Sequence, residues 1–168
     1  METKEQIINK VKKYIVEVLE PVRPELSGFA ACPFVKAERI KNKIMYDVLD
    51  GNSSLVEIAE RFDKSNFSTA IIAQILPEGD SISPEEGLQY QSFINSLLEQ
   101  IGLGEYKNIC FNPMENINVN GFCPREKAPY FLINIAKKKE LSRAHKSLLK
   151  TAYFDNFPDN YKKYLKVK

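Results

Sequence analysis

Glycine and proline are scarce in this chain, seven and nine residues of 168, which excludes a collagen-like, mucin-like or low-complexity polymer. Cysteine is scarcer still: three residues, an odd number at distant positions, cannot make a disulfide framework and point to a reducing compartment, with the cytoplasm as the expected location. Long apolar runs are absent. The most apolar stretches, residues 70–76 and 130–136, are seven residues each, far short of the about 20 that span a bilayer. Residues 1–20 alternate Lys and Glu with Ile and Val throughout, so neither a secretory signal nor a membrane partner is expected. Glycine-arginine repeats and zinc knuckles are missing too, which argues against nucleic acid as a partner.

What remains is ordinary for a folded chain, 43% apolar and 27% charged with a formal charge of +2, and it supports one sizeable core in a single domain over residues 1–168. The small net charge hides an asymmetry. Residues 137–168 hold ten Lys and Arg against three acids, whereas residues 1–136 hold fourteen against nineteen. A basic helix and tail of this kind is either a solvated face or a surface that steers an acidic protein, RNA or an anionic ligand. Tyr153, Phe154, Phe157, Tyr161 and Tyr164 interleave with these lysines, at a spacing that suits a tail packing back on the domain as well as a base-stacking platform.

Thr3 and Gln6 form a capping box before a helix whose Ile7, Val11, Tyr14, Ile15, Val18 and Leu19 recur at helical spacing, and Pro21 and Pro24 stop it. Residues 27–38 read as a turn leading into a short helix, and residues 43–49 alternate as a strand. Ser54 and Glu57 open a second full helix with Leu55, Ile58, Ala59 and Phe62 inward. Residues 67–76, apolar on both faces, predict the central strand. Ser83, Pro84 and Glu86 announce a helix with Leu88, Phe93, Leu97, Leu98 and Ile101 as its apolar face, closed by Gly102 and Gly104. Strands follow at 108–112 and 130–136, then a helix at 140–150 with Leu141, Ala144, Leu148 and Leu149 on one face. The expected fold is α+β, a small mixed sheet of about four strands covered by about four helices.

Candidate chemistry gathers at two similar segments, Gly28-Phe29-Ala30-Ala31-Cys32-Pro33-Phe34 and Gly121-Phe122-Cys123-Pro124-Arg125. A cysteine before proline is held at a turn, and a thiol at a helix start beside cations has its pKa lowered. Lys36 near Cys32, and Arg125 and Lys127 near Cys123, would act in that sense. Cys32 and Cys123 are therefore the candidate catalytic thiols; the competing reading makes them, like Cys110, buried core residues. The three cysteines and His145 could in principle make a Cys3His set, but no pair has the close spacing of a metal loop, so no metal is expected. His145 reads as a core residue.

Residues 113–127 form a connection at the upper limit for a segment with no structure of its own, and such loops usually carry function. Asn112 ends one flanking strand, and Asn134 is a polar residue within the other. A buried amide must be hydrogen-bonded, so each either ties backbone together or faces a ligand. If the strands pair, both amides approach one pocket and Arg125 can clamp a carboxylate or phosphate there.

Cys32-Pro33-Phe34-Val35-Lys36 after Gly28, Phe111-Asn112-Pro113, Arg125 followed by Pro129-Tyr130, and Arg143-Ala144 stand in the order of the motifs of domain of unknown function 1415, a bacterial family whose opening motif is Gly-Leu-x-Leu-Cys-Pro-Phe-Ala. The chain resembles that family over about two-thirds of its length, and departs from it with Asn at 112 and 134 in place of His and with Cys123. The family brings no activity with it; the resemblance implies where a site lies and adds Tyr130 to Lys36, Asn112, Arg125 and Asn134 as ligand-binding candidates. The reading that follows is thiol-dependent or redox chemistry on a small anionic molecule at a Cys32/Arg125/Asn134 pocket. The alternative is a non-catalytic interaction module whose basic C-terminal region docks an acidic protein or nucleic acid. No cofactor is named by any motif.

Overall fold

The Thr3 side chain accepts from the Gln6 backbone N–H while the Gln6 side chain accepts from the Thr3 N–H, the reciprocal cap expected from the sequence, worth about 1 kcal/mol. It starts α1 (Lys4–Tyr14), which continues into a π-helical turn, Ile15–Leu19. The computed structural model describes residues 2–159. Beyond α1 a two-stranded ladder pairs β1 (Val22–Arg23) with β2 (Phe29–Ala30). Then come α2 (Val35–Ile40), β3 (Ile44–Leu49), α3 (Leu55–Asp63), β4 (Thr69–Gln74), α4 (Pro84–Gln100), β5 (Tyr106–Phe111), β6 (Phe131–Lys137) and α5 (Lys138–Leu148). The fold is α+β. Its main sheet has the order β3-β4-β6-β5, with β3 and β4 parallel and the other pairs antiparallel.

Alternation along the strands sends side chains to two cores. Phe131, Ile133 and Ile135 of β6, with Met45, Ile72 and Cys110, meet α3 and α4 through Ile58, Phe62, Ile94 and Leu98. Leu132, with Ile44, Val48 and Ile71, meets Ile7, Val11, Tyr14 and Ile15 of the first helix on the opposite face. Helices therefore cover both faces of the sheet. β4 is interior, and Ala70, Ile71, Ile72 and Ala73 are all buried, as its unbroken apolar run required.

The edge strand β5 would expose unpaired backbone, and side chains of α4 close it. Asn108 N donates to Asn95 Oδ1 at 2.7 Å, Asn95 Nδ2 donates to Asn108 O at 3.3 Å, and Cys110 N donates to Gln91 Oε1 at 2.8 Å. That contact sets the rotation of α4. Its buried residues are Gly87, Ile94 and Leu98, whereas Leu88 and Phe93, expected inward, are exposed at 44% and 59%. Leu149 is likewise exposed, because α5 packs through the face that carries the half-buried Leu141, Ala144, His145 and Leu148.

At the other edge, the Asp47 carboxylate on β3 is buried and ion-paired with Lys4 of α1 and Arg61 of α3, tying a helix from each layer to one strand. Burial pushes its carboxyl up, but the hydrogen bonds from Lys4 and the Val48 N–H, with the charge of Arg61, outweigh that and hold it below the usual range. A lowered carboxylate contributes stability that is present above its unfolded pKa of about 3.9 and lost as pH falls through the folded value. Asp47→Asn should therefore lower stability at neutral pH, and the difference from wild type should shrink on acidification below about pH 4, as urea titrations over a pH series would show.

Gly87 gives a second prediction. An alanine in a helix interior is ordinarily better than glycine by about 1 kcal/mol. Here a Cβ would stand 2.8 Å from Asn112 Nδ2, an amide that holds two backbone carbonyls. Gly87→Ala should instead destabilise by about 1–3 kcal/mol in denaturant titration. In an Asn112→Ala background the same change should become neutral or stabilising.

Candidate functional site

Four of the expected site residues divide between two small cavities on opposite sides of the sheet, and Lys36, Cys123 and Tyr130 line neither. The register explains the split. Phe111 pairs with Leu132 and Cys110 with Ile133, so Asn112 falls on the Phe131 face and Asn134 on the Leu132 face. The two asparagines do not share a pocket, contrary to expectation; period-two parity separates them.

Asn112 and Arg125 line the first, a notch of about 10 Å³ with Pro84, Gly87, Gln91 and Glu115. Asn112 Nδ2 donates to Ile82 O at 2.9 Å and Ser83 O at 3.0 Å, and its Oδ1 accepts from Met114 N at 3.0 Å. Its amide is fully engaged in anchoring the start of α4, not in orienting a ligand. Arg125 belongs to the short 3-10 turn Arg125–Lys127; it is ion-paired with Glu115 and stacks on Phe111 at 5.1 Å. The pair is only 15% and 25% exposed, so an incoming anion would have to displace Glu115 from a shielded partner. These contacts close the loop on β5.

Cys32 and Asn134 line the second cavity, about 30 Å³, walled by Ile15, Leu19, Ile71 and Leu132, which is room for a water or two. Thr69 Oγ1 donates to Asn134 Oδ1 at 2.7 Å. Asn134 Nδ2 has no hydrogen-bond partner among the described residues. Cys32 itself is fixed by its own N–H to Leu19 O at 3.0 Å, and the preceding carbonyl, Ala31 O, accepts from Tyr153 OH at 2.6 Å. Burial pushes the Cys32 thiol up, and the N–H groups of Val35 and Phe34 offset it only in part. Lys36 is exposed and takes no part in that balance. The lowered thiol foreseen from Lys36 is thus replaced by a raised one, because desolvation outweighs the short helix start.

Cys123 is half-buried with its Sγ 3.4 Å from Asn116 Oδ1. Burial raises its thiol first, the neighbouring Glu126 raises it further, and Lys127 only opposes them. Cys110 is buried and pushed up to about 11, chiefly by burial. Tyr130 donates to Glu2 Oε2 at 2.7 Å, so it ties the start of the chain to β6. His145 packs on Phe154 at 5.6 Å. No group of three or more His, Cys, Asp or Glu side chains comes together among the described residues.

The 113–127 connection has structure of its own, which the sequence reading missed. Val119 N donates to Phe122 O at 2.9 Å and Phe122 N to Val119 O at 3.0 Å, closing a two-residue hairpin whose Asn120 and Gly121 have φ of 52° and 87°. The Asn-Gly pair between Val119 and Phe122 was the available signal, since positive φ at both positions favours these residues. Ile117, Val119 and Phe122 are buried against Leu26, Tyr153 and Phe157, and Tyr14 OH donates to Pro124 O at 2.8 Å. Tyr153 and Phe157 thus pack back on the domain; Tyr161 and Tyr164 lie outside the described residues. No helix among the described residues is long and apolar enough to cross a membrane.

In comparison with known proteins, the chain matches no family model, and no curated protein or solved structure matches it. The resemblance drawn from its Cys-Pro-Phe and Asn-Pro motifs is neither extended nor opposed by these comparisons.

The raised thiols make a measurable order. In the folded protein at neutral pH an alkylating reagent should label Cys123 first, with Cys32 slow and Cys110 labelled only on unfolding. Mass mapping of the labelled sites reads the order directly. Labelling of Cys32 ahead of Cys123 at pH 7 would restore it as a nucleophile.

Proposed function

We propose that the protein is a non-catalytic interaction module whose basic helix α5 docks an acidic protein partner. One observation carries this reading. Lys139, Arg143, Lys146 and Lys150 are all exposed and follow one another at steps of four, three and four residues, so they form a single stripe opposite the face that packs. Lys138 is paired with Glu99, but none of the four stripe residues pairs with an acid among the described residues. Over α5 and the residues just after it, about 16 Å at the helical rise, four cations face water with only Glu140 beside them. Such a row attracts an acidic segment at long range and fixes its register on contact.

An acidic protein suits the surface better than a single-stranded nucleic acid, which needs exposed aromatic faces to stack its bases. The aromatics nearest the stripe are consumed elsewhere: Tyr153 and Phe157 are buried among Leu26, Val119 and Phe122. Leu149, 54% exposed, adds an apolar contact beside the cations. The three unpaired cysteines suit a reducing compartment such as the cytoplasm. A thiol reading retains one supporting feature, the Cys32 sulfur and the unpartnered Asn134 amide on one cavity, and the labelling order above is its test.

Binding of a fluorescent polyglutamate peptide and of single-stranded and duplex oligonucleotides, followed by anisotropy over a salt series, tests the proposal. Lys146→Glu with Arg143→Glu should weaken peptide binding by roughly tenfold or more and leave the unfolding midpoint close to wild type, since surface changes usually alter stability by about 0.5 kcal/mol or less. Peptide binding unaltered by the double reversal would remove the helix from the proposal. Tighter oligonucleotide binding would replace the acidic protein with nucleic acid.

A further inference from the structure

The other half-buried arginines of this fold are met by carboxylates: Arg39 by Glu20 and Arg125 by Glu115. Arg23 breaks the pattern. Its guanidinium carbon lies 4.4 Å from the centre of the Phe122 ring, and its Nε is buried with no hydrogen-bond partner. Lys127 Nζ stands 5.6 Å from the centre of the same ring. Neither cation pairs with an acid among the described residues. The π face attracts both charges but takes none of their N–H hydrogens in the way an oxyanion does. Two like charges on one buried ring, one of them with an unmet donor, make an arrangement that an anion would complete.

Both cations stand on turns fixed by other contacts. Arg23 ends β1, in register with Phe29, and caps the 3-10 turn Pro24–Leu26. Lys127 ends the 3-10 turn Arg125–Lys127, held by the Arg125–Glu115 pair and by the Tyr14 hydroxyl on Pro124 O. Phe122, the ring both approach, is 5% exposed and set by the Asn120-Gly121 hairpin. The backbone segments that carry the two cations are set before any ligand arrives, which lowers the ordering cost of binding.

We propose that Arg23 and Lys127, set around Phe122, form a binding site for a phosphate group. Phosphate is preferred to carboxylate by its oxygen count. A guanidinium fork engages two oxygens of an oxyanion, which uses both oxygens of a carboxylate, whereas phosphate keeps a separate third oxygen for Lys127 and brings up to two negative charges to two cations. The Glu25 side chain, two residues on, makes no ion pair with either cation, and its buried Oε2 has no donor. A hydroxyl on the molecule that carries the phosphate would satisfy that oxygen, so a phosphomonoester of a hydroxylated compound fits the local chemistry better than the free ion.

The test is titration of the isotope-labelled full chain with inorganic phosphate, glycerol phosphate and acetate, read as amide shifts in two-dimensional NMR. Phosphate should move the amides of Arg23, Phe122 and Lys127 along a saturable curve, glycerol phosphate should bind more tightly, and acetate should bind more weakly than either. Lys127→Ala, a change at an exposed side chain, should weaken phosphate by roughly tenfold; Arg23→Gln should do the same if it folds. Lys146→Glu should leave the titration unchanged, which separates this site from the α5 stripe. Shifts confined to α5, absence of saturation, or a Lys127→Ala titration that overlays the wild type would overturn the proposal. Free phosphate binding as tightly as the ester would remove the role given to Glu25 and with it the preference for an ester.

Discussion

The free edge of β5 is the constraint around which the rest is arranged. An antiparallel edge strand leaves backbone donors and acceptors that must be paired or solvated, and here Gln91 and Asn95 of α4 reach across to take them. That fixes both the height and the rotation of α4. Its first turn then lies so close to the end of β5 that Asn112 can hold Ile82 and Ser83 while position 87 has no room for a Cβ. A polar side chain in an apolar setting usually invites a ligand hypothesis; at Asn112 its use is to seat a helix. The notch left beside it is correspondingly small.

Charge in the half-buried shell is settled pairwise. Asp47 takes Lys4 and Arg61, Glu20 takes Arg39, and Glu115 takes Arg125, so the interior electrostatics serve to attach elements to one another. Such pairs add modest stability against their desolvation but fix register strongly. Two sets of cations stand outside these pairs: the outward row on α5, and the two cations on Phe122. The first is solvated and long-range; the second is local, with the Arg23 Nε buried and Lys127 exposed beside one ring. They would recognise different kinds of anion.

Much of the architecture was legible in the sequence because its signals are local. Capping residues at Thr3, Ser54 and Ser83 and the doubly apolar run of β4 depend on neighbours within a turn or a strand, and those elements form close to where the pattern puts them. Helix orientation was less legible. Leu88 and Phe93 look inward by spacing alone, but glycine and amides at 87, 91 and 95 face the sheet because of hydrogen bonds to a strand that lies later in the chain. The candidate site residues fall on two faces for a related reason: Asn112 and Asn134 are alike in composition, yet their faces follow from the β5–β6 register, which depends on a loop whose hairpin was itself overlooked. Arg23 gave no signal at all, since only the folded Phe122 ring makes it notable.

The same loop also packs beside the Cys32 region. Its buried residues Ile117, Val119 and Phe122 need a partner surface, and the segment around Leu26 together with Tyr153 and Phe157 provides it. Packing that third cluster brings the Tyr153 hydroxyl onto Ala31 O and leaves Cys32 facing an apolar cavity. The thiol is raised because Cys32 is buried among Ile15, Leu19, Val35, Ile71 and Leu132 of the first helix, α2 and the sheet, so the feature that suggested reactivity, a cysteine held at a turn before proline, is the one that ensures its burial. Reactivity at a turn requires that one side stay open to water or to a cation; here the turn's far side is closed by backbone and aromatic rings.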